Sequence, residues 1–89
     1  MNEYIIVKIG GDGMSFTPSN VTIKVGDTVQ WVNEDKEIPH SSTSDNGFWD
    51  SNVLGYQQDF IHTFTEVGTY PYHCRIHSFM RGTVNVTSS

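Results

Sequence analysis

The amino-acid sequence predicts an all-β fold, a small antiparallel β-sandwich, and three observations carry that prediction. Short runs alternate apolar and polar residues with a period of two, which marks strands with one buried face. Clusters of Gly, Pro, Asn and Asp interrupt those runs at short intervals. No segment carries an apolar stripe at helical spacing.

In chain order, Ile5, Val7 and Ile9 share one parity and end at the turn Gly10-Gly11-Asp12-Gly13. Phe16 precedes a second turn, Thr17-Pro18-Ser19-Asn20. Val21, Ile23 and Val25 then alternate with Thr22 and Lys24 until Gly26-Asp27. Val29 and Trp31 follow, and the strand breaks at Asn33-Glu34-Asp35. Residues 34–59 are the least regular stretch and are rich in Ser, Asp and Asn, so they read as a loop, a short strand and a second loop. Phe60 and Phe64 mark the next strand, with His62 between them on the same parity. After Val67-Gly68 come Tyr70, Tyr72 and Cys74, and last Val84 and Val86. About seven strands at this spacing suit two packed sheets. Their expected core is Phe16, Ile23, Val25, Val29, Trp31, Phe60, Phe64, Val67, Tyr70, Tyr72, Val84 and Val86.

At 89 residues the chain makes one domain, 1–89, with a single modest core. Apolar residues at 36% and charged residues at 17% give a globular rather than a disordered composition. No apolar stretch approaches the roughly 18 residues of a membrane span. The first residues, Met-Asn-Glu-Tyr-Ile-Ile-Val, do not read as a signal peptide, so an exported form is expected to have had its leader removed. A formal charge of −5 makes nucleic acid and anionic membranes poor partners and favours a basic one.

The chemistry concentrates in residues 73–80, His-Cys-Arg-Ile-His-Ser-Phe-Met. Cys74 is the only cysteine, so it cannot staple the fold, and its use lies in packing, reactivity or metal binding. His77 and Met80 follow it at intervals of three, which points to a metal. Two imidazoles, one thiolate and a weak axial thioether are the donor set of a blue-copper electron-transfer site. This run holds three of the four. Among the other histidines, His73 adjoins Cys74 on a strand and faces the opposite side. His62 reads as a hydrogen-bonded core histidine or as one that supports a metal ligand. His40, after Pro39 and just beyond the Trp31 strand, is the natural second imidazole, because a strand end and a distant loop can meet at one end of a sandwich.

Residues 16–33, from Phe16-Thr-Pro to Gln-Trp-Val-Asn33, resemble the first half of cupredoxins, as does Ile38-Pro-His-Ser41. Residues 68–86, Gly-Thr-Tyr-Pro-Tyr-His-Cys-Arg-Ile-His-Ser-Phe-Met-Arg-Gly-Thr-Val-Asn-Val, are similar to the ligand strand and loop of the plastocyanin/amicyanin family. The resemblance implies a Greek-key sandwich with copper, cycling Cu(I)/Cu(II), on His40, Cys74, His77 and Met80. It implies an extracytoplasmic protein, in the periplasm or at the outer cell surface. Two departures stand out: Ser78 where the family often has Pro, and Ser41 where it often has Asn. Asn33 and Ser41 flank the first ligand segment and are candidates to support it. The acidic run Glu34-Asp35-Lys36-Glu37 reads as a solvated turn.

The expected function is a soluble one-electron carrier, a monomer without catalytic activity, whose donor and acceptor dock on an apolar patch of Pro39, Ile76 and Phe79 around His77. Membrane association of a full-length form is an alternative to free solubility. Other readings keep the same residues. Zinc suits imidazole and thiolate. A redox enzyme acting on nitric oxide or nitrite would need Met80 displaced and a coordination position open. A copper-delivery protein would be expected to show more Met or Cys than this chain has.

Overall fold

The computed structural model describes residues 4–88, so residues 1–3 and Ser89 lie outside it. Among the described residues, eight strands form two four-stranded sheets. They are β1 (Tyr4–Ile9), β2 (Phe16–Thr17), β3 (Asn20–Lys24), β4 (Thr28–Asn33), β5 (Thr43–Ser44), β6 (Asp59–Thr63), β7 (Gly68–His73) and β8 (Arg81–Thr87). One sheet runs β2-β1-β4-β6 and the other β3-β8-β7-β5. The described residues contain no helix.

The sandwich is the expected one, and its strand pairing is mixed. β1–β2, β4–β6, β5–β7 and β7–β8 are antiparallel. β1 pairs with β4 in parallel, from Tyr4↔Thr28 to Ile9↔Asn33, and β3 pairs with β8 in parallel, from Asn20↔Thr83 to Lys24↔Thr87. Neither partner in these parallel pairs follows the other directly along the chain. The connection crosses between sheets, and such a crossing leaves no local trace in the alternation.

Period-two burial lines the space between the sheets. Val7 and Ile9 of β1, Val29 and Trp31 of β4, Tyr70 and Tyr72 of β7, and Val84 and Val86 of β8 all point inward. Trp31 sits at the centre, stacked on Trp49 at 5.4 Å and edge-on to Tyr72 at 5.3 Å. Two expected core residues lie outside: Val25 is 40% exposed and Val67 is 61% exposed. Each sits past a strand end, Val25 before the Gly26 turn and Val67 before β7, where the alternation no longer sets the facing. Trp49 and Leu54 enter the core from the irregular stretch instead.

Candidate metal centre

Strand alternation along β7 buries Tyr72, turns His73 away and buries Cys74 beyond the strand end. His73 is held on that other side by Asp45, with Nδ1 2.5 Å from Oδ1. Arg81, opposite His73 in the β7–β8 ladder, donates to the same carboxylate at 3.2 Å. The chain then turns back within residues 74–80. The Cys74 N–H donates to Met80 O at 3.1 Å and the Met80 N–H to His77 O at 2.9 Å. These two backbone bonds make the loop compact enough to return directly into β8. Met80 is buried with the core, and its sulfur-bearing side chain is closed off from solvent.

His40 arrives from the other sheet's connection. It exchanges two backbone hydrogen bonds with Leu54, N–H to O at 3.2 Å and O from N–H at 2.7 Å, and its ring is fully buried. His40 Nδ1 and His77 Nδ1 each lie 3.7 Å from Cys74 Sγ. The three donor atoms all fall within 4.8 Å of one another. A buried thiol between two imidazole nitrogens is a donor set that suits copper.

Asn33 and Ser41 support this centre indirectly. The Asn33 side-chain amide donates to Ile38 O at 3.1 Å and Leu54 O at 2.8 Å, pinning the segment that carries His40. Ser41 Oγ accepts the Arg75 N–H at 2.9 Å and so ties the two ligand segments together. Neither touches an imidazole. The residue that does is Asp35, whose Oδ2 lies 2.6 Å from His40 Nε2. Its Oδ1 accepts the Gly11 N–H at 2.7 Å, and its own N–H donates to Asn33 Oδ1 at 2.8 Å.

The acidic run is thus not wholly a solvated turn. Only the neighbouring Asn33 hinted at this, through a side-chain turn that orients the residue two positions on. Burial pushes the Asp35 carboxyl up, but the His40 hydrogen bond, the Gly11 N–H and the nearby histidines outweigh it and hold the pKa below the ordinary carboxylate value.

His62 takes no part. It is half-buried on β6, stacked on Trp49 at 5.2 Å and edge-on to Phe64 at 4.8 Å, so its contacts are with rings and not the expected hydrogen bond. Desolvation lowers its pKa.

Comparison with known proteins follows the same residues. Residues 4–87 match the family model described as copper binding proteins, plastocyanin/azurin family. The chain is 40% identical over 83 residues to amicyanin of Paracoccus denitrificans, covering 82% of this chain and 59% of that one. It is 31% identical over 96 residues to plastocyanin of Scenedesmus fuscus, covering 92% and 98%. Among solved structures, an oxidised amicyanin variant superposes with a TM-score of 0.84 at 36% identity, over 93% of this chain and 81% of that one. A copper-containing nitrite reductase from Thermus scotoductus also gives 0.84 at 30% identity, over 96% of this chain but 22% of the enzyme.

Proposed function

Because the chain belongs to the plastocyanin/azurin family of copper-binding proteins, we propose that it carries single electrons between redox partners, with one copper ion held by His40, Cys74, His77 and Met80. The observation that supports this most is the convergence of His40 Nδ1, Cys74 Sγ and His77 Nδ1. Bound copper supplies a one-electron change between Cu(I) and Cu(II).

The chain's own part is to hold the donors still and dry. Cys74 and His40 are fully buried and Met80 nearly so, which excludes water from that side. The Leu54 bridge and the Cys74–Met80 backbone hydrogen bond each fix one ligand segment and the Ser41–Arg75 hydrogen bond ties the two together, so neither redox state can rearrange the donors far. Little rearrangement means a low barrier to electron exchange. Met80, buried beside these donors, would supply a weak thioether to the bound copper.

His77 is half-exposed and gives a partner its shortest approach. Around it Ile76 is 44% and Phe79 70% exposed, and Pro39 and Ile38 lie open on the other ligand segment. An apolar patch beside the buried donors fits a docking surface, and weak redox encounters need little area. A monomer working outside the cytoplasm as one copper-binding domain completes this reading. The catalytic alternative draws on the nitrite reductase likeness, which spans 22% of that enzyme, and the burial of Met80 speaks against an open coordination position.

The test is the visible spectrum of the copper-loaded protein with and without added nitrite. An intense thiolate-to-Cu(II) band unmoved by nitrite supports the carrier. A band that shifts with nitrite supports the enzyme.

A further inference from the structure

We infer that Asp35 is a positioning residue for the copper ligand His40: its carboxylate fixes the ring's tautomer and lowers the reduction potential of the centre. The inference rests on the copper reading above, and three features of the chain carry it.

The first is directional. Asp35 Oδ2 lies 2.6 Å from His40 Nε2, and the opposite ring nitrogen, Nδ1, faces Cys74 Sγ. An ionised carboxylate only accepts hydrogen bonds, so Nε2 must carry the proton and Nδ1 keeps its lone pair for a metal. The fully buried His40 ring has no solvent to serve this purpose instead. The second is chemical. A carboxylate on the far side of a ligating imidazole makes that imidazole a stronger donor. A stronger nitrogen donor and a nearby negative charge both favour Cu(II) over Cu(I).

The third is that the contact is built from three directions. Asn33 Oδ1 holds the Asp35 backbone, and the Gly11 N–H holds Oδ1, which leaves Oδ2 for the histidine. Gly10, at φ 71°, lies so close that a Cβ there would collide with Asp35 Oδ2. A glycine at this position serves both its left-handed backbone and the approach of the carboxylate. Residues from β1's end, β4's end and the following turn therefore all aim one oxygen at one ring nitrogen.

Asp35→Asn tests the inference, because it removes the charge and turns one of the two oxygens, which meet His40 and Gly11 separately, into an NH2 donor. Voltammetry of the copper-loaded proteins is the first readout. Loss of such a partner typically weakens metal binding by about 10–100-fold. If the loss falls on Cu(II) alone, a tenfold change raises the potential by about 59 mV for one electron. The expected result is a rise of that order with the visible band kept. An unchanged potential with the band intact overturns the role of Asp35 and leaves the copper reading standing. No band in the unsubstituted protein overturns both.

A second readout needs neither copper nor the variant. Nitrogen–proton correlation spectra of the metal-free protein at pH 8 report the His40 tautomer. A proton on Nε2 supports the inference, and a proton on Nδ1 overturns it even if Asp35→Asn fails to fold.

Discussion

At the scale of single residues, Cys74 separates binding from folding. Its sulfur is fully buried between His40 Nδ1 and His77 Nδ1. Cys74→Ser nearly keeps the shape, and the two imidazole nitrogens are the polar groups nearest the new hydroxyl. The metal-free variant should therefore stay folded, within about 1 kcal/mol, a shift of no more than about 4–8 °C in Tm for a chain of this size. The visible band should vanish, and its survival would remove Cys74 from the site. His62 gives a second test at this scale. In an unfolded chain its imidazole takes a proton near pH 6.5, but burial holds the folded pKa below that. Between the two values the unfolded state binds more protons, so the stability tied to neutral His62 is full above about pH 6.5 and declines as pH falls toward the folded pKa. His62→Phe should lose that decline, seen as a smaller drop in denaturant midpoint between pH 7.5 and 5.5 than the unsubstituted protein shows. Equal drops would contradict it.

At the scale of elements, the loop over residues 74–80 joins the buried sulfurs to the exposed patch. Ile76→Glu or Phe79→Asp should leave the spectrum unchanged and slow electron self-exchange by tenfold or more. Unchanged exchange would place the port elsewhere. Trp49 tests the irregular stretch before β6. It packs on Trp31, Phe64 and Tyr72, and its indole N–H donates to Ser42 Oγ at 2.9 Å. Trp49→Ala should cost about 3–5 kcal/mol, measured by denaturant unfolding. Elements show where sequence reading succeeds and stops. The alternation of Val84 with Val86 or of Tyr70 with Tyr72 is local, and so is the spacing of Cys74, His77 and Met80, which made both strands and candidate ligands legible. The parallel β1/β4 and β3/β8 pairs, the entry of Trp49 and Leu54 into the core and the reach of Asp35 to His40 join distant segments. Such long-range contacts have no period to read.

For the whole molecule, metal binding and stability are one equilibrium. The donors come from two connections that the unfolded chain does not bring together, so copper that binds only the folded state must stabilise it. At 1,000 times Kd the gain is about 4.1 kcal/mol, and Tm should rise on titration with copper and fall on adding a chelator. The formal charge of −5 acts at longer range: association with a basic redox partner should slow as salt is raised. Both effects presuppose a single copper at the meeting point of the two ligand segments. Diffraction from crystals of the copper-loaded protein, collected across the copper absorption edge, tests that most directly. The account predicts one anomalous peak, about 2.0–2.3 Å from His40 Nδ1, Cys74 Sγ and His77 Nδ1, with the Met80 sulfur farther off along the axis. A peak away from Cys74, or one with water in place of Met80, would contradict it.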